Sequence, residues 1–386
     1  MFAGACTSQI GTQMQTAAQS WLVLDLSNDN ARYLGIDGFL GQIPIVLFSL
    51  LGGVLADRRD RRTFLLTSQY AQMTCALILA TLAITGVVQV WHVWCLSFIV
   101  GTAQAFGGPS YSALVPSLVP REHLPNAIAL NSMQFNLARV IGPTFGGVAL
   151  ATLGAAWCFY INATSFLAVI VTLYMIRVSY VPPRSREPIL DSMKQGIHFI
   201  QAQPGMKGLM VLAFLVTFFG FQTIFFLPVV AREVFKAGPQ TFTLMLSFSG
   251  AGAVAGALIV AAIGKTKGMG KKALIGLTML GVITVAFAQS TVLALSCVVI
   301  FMAGMAVMGV FSMIMSLVQL ITSDDMRGRV MSVFNLCLRG GGPVGMLVSG
   351  YLIPIFTVSV VLTGAGVGMV LLGLYFLMIQ RRVAEL

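Results

Sequence analysis

Gly53-Val54-Leu55-Ala56-Asp57-Arg58-Arg59-Asp60-Arg61-Arg62 sets six charges in consecutive positions between two long apolar stretches. Only 9% of the 386 residues are charged, so a run this dense must lie in water at the end of a hydrophobic segment. It marks a membrane boundary. Outward from it, 57% hydrophobic residues, 40 glycines and a mean hydropathy of +0.90 lie far from the usage of soluble domains. A hydrocarbon core of about 30 Å takes about 20 helical residues to cross. Apolar stretches of that length fall at residues 2–26, 33–56, 63–87, 91–115, 127–152, 155–177, 206–231, 241–264, 272–289, 291–322, 328–353 and 356–380. The expectation is an all-α integral membrane protein with twelve transmembrane helices.

Charge then orients the set. Placing residues 57–62, 121, 177–207, 265–272, 327–329 and 381–382 on one side collects 18 of the 23 Lys and Arg. By the positive-inside rule that side is cytoplasmic and holds both termini. The formal net charge of +11 then sits where anionic lipid favours it and implies no nucleic-acid partner. Residues 2–26 lack a basic leader and an Ala-x-Ala site and carry Gln9, Gln13, Gln15 and Gln19, so they read as a mature first helix and not a signal peptide.

Little in the chain suggests enzyme chemistry. Cys6, Cys75, Cys95, Cys158, Cys297 and Cys337 fall singly in different spans, and no His, Cys or carboxylate cluster has metal-ligand spacing. Gly264-Lys265-Thr266 resembles the end of a phosphate loop, but Ile259 stands where that loop needs glycine. No cofactor, no metal and no catalytic residues are expected.

The polar segment 178–205 divides the chain into a six-span bundle at 1–177 and another at 206–386. The halves echo each other. Phe135-Asn136-Leu137-Ala138-Arg139 precedes Gly142-Pro143-Thr144-Phe145-Gly146-Gly147 in span five, as Phe334-Asn335-Leu336-Cys337-Leu338-Arg339 precedes Gly342-Pro343-Val344-Gly345 in span eleven. Such pseudo-symmetry is how many secondary transporters are built, with the substrate near the midplane between repeats. These features together resemble the major facilitator superfamily over the whole chain. The 56–62 run, the Val119-Pro120-Arg121-Glu122-His123-Leu124-Pro125-Asn126-Ala127 loop and the span-five motif are similar to its bacterial efflux branch, which includes enterobactin-type siderophore exporters and macrolide-type drug exporters.

The resemblance implies the major facilitator fold, two pseudo-symmetric six-helix bundles in a bacterial inner membrane. It also implies a conformational latch at Gly53, Asp57 and Arg58. Asp57 is suited to the positive N-terminal end of span eleven, near Arg327 and Arg329. Arg61 and Arg62 are candidates for the same latch, a solvated charge cluster being the plainer account of them. Asp60 stands where many members have glycine, and Gly264-Lys265-Thr266-Lys267 keeps the basic charge of the second half without the acid. Gly142, Gly146 and Gly147 allow close helix approach and Pro143 permits a kink, a motif that the family associates with antiport.

Charges within the spans are the sharpest functional candidates. Arg139 lies about 20 Å along its helix from Asn126 and Arg339 about 15 Å from Arg329, near mid-membrane for each. Each either faces a cavity or ties helix carbonyls together. The acids nearest the core are Asp37 and Asp25, so protons would be carried by one of these, the alternative being a loop-edge carboxylate. In this architecture spans one, four, seven and ten line the cavity. Gln9, Gln13, Thr16 and Ser20 form a polar stripe, joined by Gln104, Asn136, Thr217, Gln222, Ser312, Ser316, Gln319 and Asn335. The expected protein is a monomeric secondary active transporter that exports amphipathic small molecules of drug or siderophore type by alternating access, in exchange for protons and in contact with membrane lipid. The alternatives are a lysophospholipid flippase or an importer on the same fold, or a transport-dead receptor or scaffold.

Overall fold

A computed structural model describes the backbone of residues 2–58, 60–114, 118–175, 189–263, 268–380 and 383–384. Asp57, Arg58 and Gly53, central to the expected latch, and Asn136 of the expected cavity lie outside the residues whose side chains are described. In chain order the helices are α1 Phe2–Leu26, α2 Ala31–Arg58, α3 Arg61–Ile84, α4 Val90–Leu114, α5 Leu124–Thr152, α6 Ala155–Met175, α7 Ile189–Ala202, α8 Met206–Phe225, α9 Leu227–Glu233, α10 Pro239–Ile263, α11 Met269–Gln289, α12 Leu293–Ile321, α13 Arg327–Phe356 and α14 Val358–Met378. The described residues contain no strand. Among them, α3, α4, α6, α8 and α10 to α14 are long and apolar enough to cross a membrane.

The apolar stretches and the helices coincide to within a few residues, with two differences. Span seven is broken at Phe226, because Pro228 can donate no backbone hydrogen bond and so starts the short α9. Within the central polar segment, residues 189–202 form α7. Its Gly196 lies against the backbone of Arg329, where a Cβ would come 2.9 Å from the Arg329 carbonyl oxygen.

The charged run ends in a local device. Asp60 is extended (φ −62°, ψ 111°) and caps α3, its Oδ1 accepting from the Arg62 N–H at 3.0 Å and its Oδ2 from the Thr63 hydroxyl at 2.8 Å. The acid at this position therefore has a structural use: it starts the third helix.

Two compact units emerge. The first comprises Met1–Arg186 with Pro239–Ser247, the second Glu187–Gly238 with Phe248–Leu386. In the first unit α1 packs on α5 and α6, α2 on α4, and α3 on α4 and α6. In the second α8 packs on α13 and α14, α10 on α12, and α11 on α12 and α14. Each pairing recurs at the corresponding place in the other unit, so the repeated motif reflects repeated packing. Gly142 and Gly146 bring α5 onto α1, where a Cβ on Gly142 would lie 2.5 Å from Gln13 Cβ and one on Gly146 3.1 Å from Met14 Cα. Gly341 and Gly345 bring α13 onto the backbone of α8 at Phe214 and Phe218 in the same way.

Candidate functional site

Within the first unit three helices converge on one carboxylate. α2 starts at Ala31 after a turn in which Asn28 and Asp29 take positive φ of 51° and 63°. Asp37 follows about 9 Å along the helix axis. Ser97 lies about 10 Å from the start of α4, and Gln19 about 10 Å from the end of α1. All three reach a similar depth from the end opposite the charged run, about a third of the way through a 30 Å core. Asp37 and Ser97 are buried, at 7% and 8% exposure.

The Ser97 hydroxyl donates to Asp37 Oδ1 at 2.6 Å, and Gln19 Nε2 donates to Asp37 Oδ2 at 2.9 Å and to Ser97 Oγ at 2.9 Å. No ion pair to Asp37 occurs among the described residues. A buried ionised carboxylate is costly unless hydrogen-bonded, and here three donated bonds close around it and its serine neighbour. Asp25, the other acid considered for proton transfer, is exposed near the end of α1.

A second set of polar side chains ties helices of this unit together. Asn162 on α6 donates to Gln15 Oε1 at 2.6 Å, and the Ser165 hydroxyl donates to the Asn162 carbonyl at 2.7 Å. Ser68 on α3 donates to the Ala103 carbonyl on α4 at 2.7 Å, Gln72 donates to Ser68 Oγ at 3.1 Å, and Gln104 reaches Gln72 Oε1 at 3.4 Å.

The expected cavity residues are distributed unevenly. On α1, Thr16 is exposed, Gln9 and Gln13 are half-buried and Ser20 is buried. Both hydroxyls turn back to the helix, Thr16 to the Thr12 carbonyl and Ser20 to the Thr16 carbonyl. Thr217 and Gln222 are buried under α13, held to the Phe214 and Phe218 carbonyls of their own helix. On α12, Ser312 and Ser316 are half-buried and Gln319 is exposed. Arg139 is half-buried on α5, while Asn335 and Arg339 are exposed one turn apart on α13. Neither arginine forms a hydrogen bond or ion pair with a described residue.

Of the latch candidates, Arg62 donates to the Tyr174 carbonyl on α6 at 3.1 Å and lies 5.7 Å from the Tyr174 ring centroid. Arg61 is half-buried. Arg327 pairs with Asp324 at 2.6 Å, and Arg329 Nη1 contacts Met326 Sδ at 3.5 Å. In the same turn a hydrogen bond from the Ser323 side chain holds the Asp325 carboxyl below its ordinary value.

Gln19 and Ser97 were not singled out by sequence. The usable signal was faint: Gln19 follows Thr16 by three residues and faces inward from a glutamine-rich helix, while Ser97 is one small hydroxyl in an apolar run.

Comparisons with known proteins agree with this architecture. The staphyloferrin A transporter of Staphylococcus aureus is 25% identical over 403 residues, covering 99% of this chain and 94% of that protein. An enterobactin exporter of Escherichia coli is 31% identical over 171 residues, 44% of this chain and 40% of its own length. The crystal structure of a bacterial homologue of the iron transporter ferroportin, in an inward-facing state, superposes with a TM-score of 0.75 at 12% identity, covering 97% of this chain and 96% of that one. It shows the fold alone. The family described as transmembrane secretion effectors matches residues 1–386, and the chain belongs to that family of major facilitator superfamily transporters.

Proposed function

We propose that this protein exports amphipathic small molecules of the siderophore or drug type by alternating access, in exchange for protons, and that Asp37 is the proton carrier. The observation that carries the proposal is the carboxylate held by Gln19 and Ser97 with no cation paired to it among the described residues. Its surroundings support both protonation states. Two converging donors suit the anion, whereas burial with no counter-charge among the described residues suits the neutral acid. A carboxyl that must be reached by protons and yet kept from permanent pairing needs such a balance.

The siderophore class is supported by the two relatives named above, and by Arg139, a half-buried cation in a membrane span with no partner among the described residues. A guanidinium in that position suits an anionic group on the substrate. Export is supported by the enterobactin exporter and by the Gly142-Pro143 motif. In this reading the protein is a monomer in a bacterial inner membrane, and the charge distribution favours cytoplasmic termini.

The test is flux in proteoliposomes under an imposed pH gradient, with iron-free enterobactin, staphyloferrin A and a cationic dye as probes. The expected result is accumulation of at least one probe that collapses when the gradient is dissipated. Gradient-independent movement of fluorescent lysolipid, with all three probes static, would instead establish a flippase.

A further inference from the structure

We propose that Gln19 is the residue that passes the protonation state of Asp37 on to α1. This rests on the reading of Asp37 as the proton carrier. The argument begins with donors and acceptors. Gln19 places both N–H groups of one nitrogen inward, one on Asp37 Oδ2 and one on Ser97 Oγ, and the Ser97 hydroxyl points to Asp37 Oδ1. Every hydrogen in the cluster is directed at an acceptor, and the carboxylate only accepts. That pattern is complete for the anion.

A proton on Oδ2 would meet the Gln19 N–H head-on, and the amide would have to turn its oxygen inward or withdraw. A proton on Oδ1 reverses the Ser97 bond instead. The Ser97 hydroxyl then has the Val93 carbonyl one turn back as acceptor, as Thr102 on the same helix uses the Phe98 carbonyl. Gln19 would keep its bond to Oδ2 but lose the charge on its acceptor, and a charge-assisted bond is about twice as strong as a neutral one. Either route loosens the tie between Gln19 and the carboxyl.

The tie crosses a thinly packed seam. α1 rests mainly on α5 and α6, α2 rests on α4, and α1 meets α2 and α4 over few residues. Gln19 supplies two hydrogen bonds across that seam. Beyond it, α1 carries Gln9, Gln13 and Thr16, so a change in the tie acts on the helix with the polar stripe.

Among the described residues no other titratable group is bonded to Asp37. From α1 the titratable side chains are Cys6 and Asp25, and from α4 His92, Cys95 and Tyr111. α3 brings Arg61, Arg62, Tyr70 and Cys75, and α2 itself Arg32 and Tyr33. Among the described residues none of these is hydrogen-bonded or ion-paired to Asp37.

The test needs no substrate. The full-length protein in lipid nanodiscs is followed by hydrogen–deuterium exchange across α1 from pH 5 to 8, with labelling times scaled to equal intrinsic exchange, and by the infrared band of a protonated carboxyl. In the wild type a step in α1 protection should accompany the carboxyl band, and Asp37→Asn should remove both. Gln19→Met should keep the band and lose the step, while Ser97→Ala should keep the step. If Gln19→Met fails to accumulate in membranes, Gln19→Asn, an amide one methylene shorter, should keep the band with a reduced step. A full-sized step in the Gln19 variant overturns the coupling role, since a purely structural residue would lower protection equally at every pH. A step that survives Asp37→Asn also overturns it, whereas a carboxyl band that survives Asp37→Asn overturns the proton-carrier reading itself, so the two failures are distinguishable.

Discussion

At the residue scale, Asp37 and Arg139 present the same problem and meet it differently. Both carry charge within membrane spans, where an unpaired charge is costly. Asp37 is met by a hydroxyl and an amide of the protein, whereas Arg139 has no partner among the described residues. Asp37→Asn preserves shape but cannot release a proton, so gradient-driven accumulation should vanish while exchange of labelled for unlabelled probe continues. Proteoliposome flux with and without a gradient measures both. Arg139→Ala should reduce transport of an anionic probe about tenfold or more while sparing a cationic dye, a charge-assisted hydrogen bond contributing roughly 1.5–3 kcal/mol. Equal losses for both probes would point to a packing role. Asp60→Ala removes the cap of α3 and should destabilise the protein by about 1 kcal/mol. A lower thermal unfolding midpoint in detergent, with the transport mode unchanged, is the expected outcome.

At the element scale, helix positions were legible because apolar length and charge placement decide them in a membrane. The break at Phe226 could have been read from Pro228, but apolarity on both sides concealed it. Polar partnerships were much less legible. Gln19 is one of several glutamines on α1, Ser97 and Asn162 look like single polar residues in apolar runs, and the meaning of all three depends on which helices adjoin, which no local pattern encodes. Gly146→Leu should force α5 away from Met14 on α1 and cost about 1–3 kcal/mol. Gly108→Ala meets nothing within 4 Å and should leave the unfolding midpoint within experimental error. Equal effects of the two substitutions would show that close approach of α1 and α5 is not what Gly146 provides.

At the scale of the whole molecule, the doubled pairing pattern was foreshadowed by the two Arg-x-x-Gly-Pro motifs, since spans at equivalent places carry equivalent glycines. Orientation rests on the distribution of Lys and Arg. A cysteine at Asn28, in the turn after α1, should react with a membrane-impermeant maleimide added outside intact cells. One at exposed Gly268 should react only after permeabilisation. The reverse pattern would invert the assignment of the cytoplasmic side.

The bonding of α1 also bears on how the protein is made. Its Gln15 and Gln19 find their hydrogen-bond partners on α2, α4 and α6, all synthesised later. Until Asn162 emerges, the Gln15 amide has only lipid or the translocation channel beside it. Biogenesis of this helix is therefore deferred: α1 should remain at the channel until its later neighbours arrive, and a ribosome-stalled chain ending before α6 should leave it extractable by alkali.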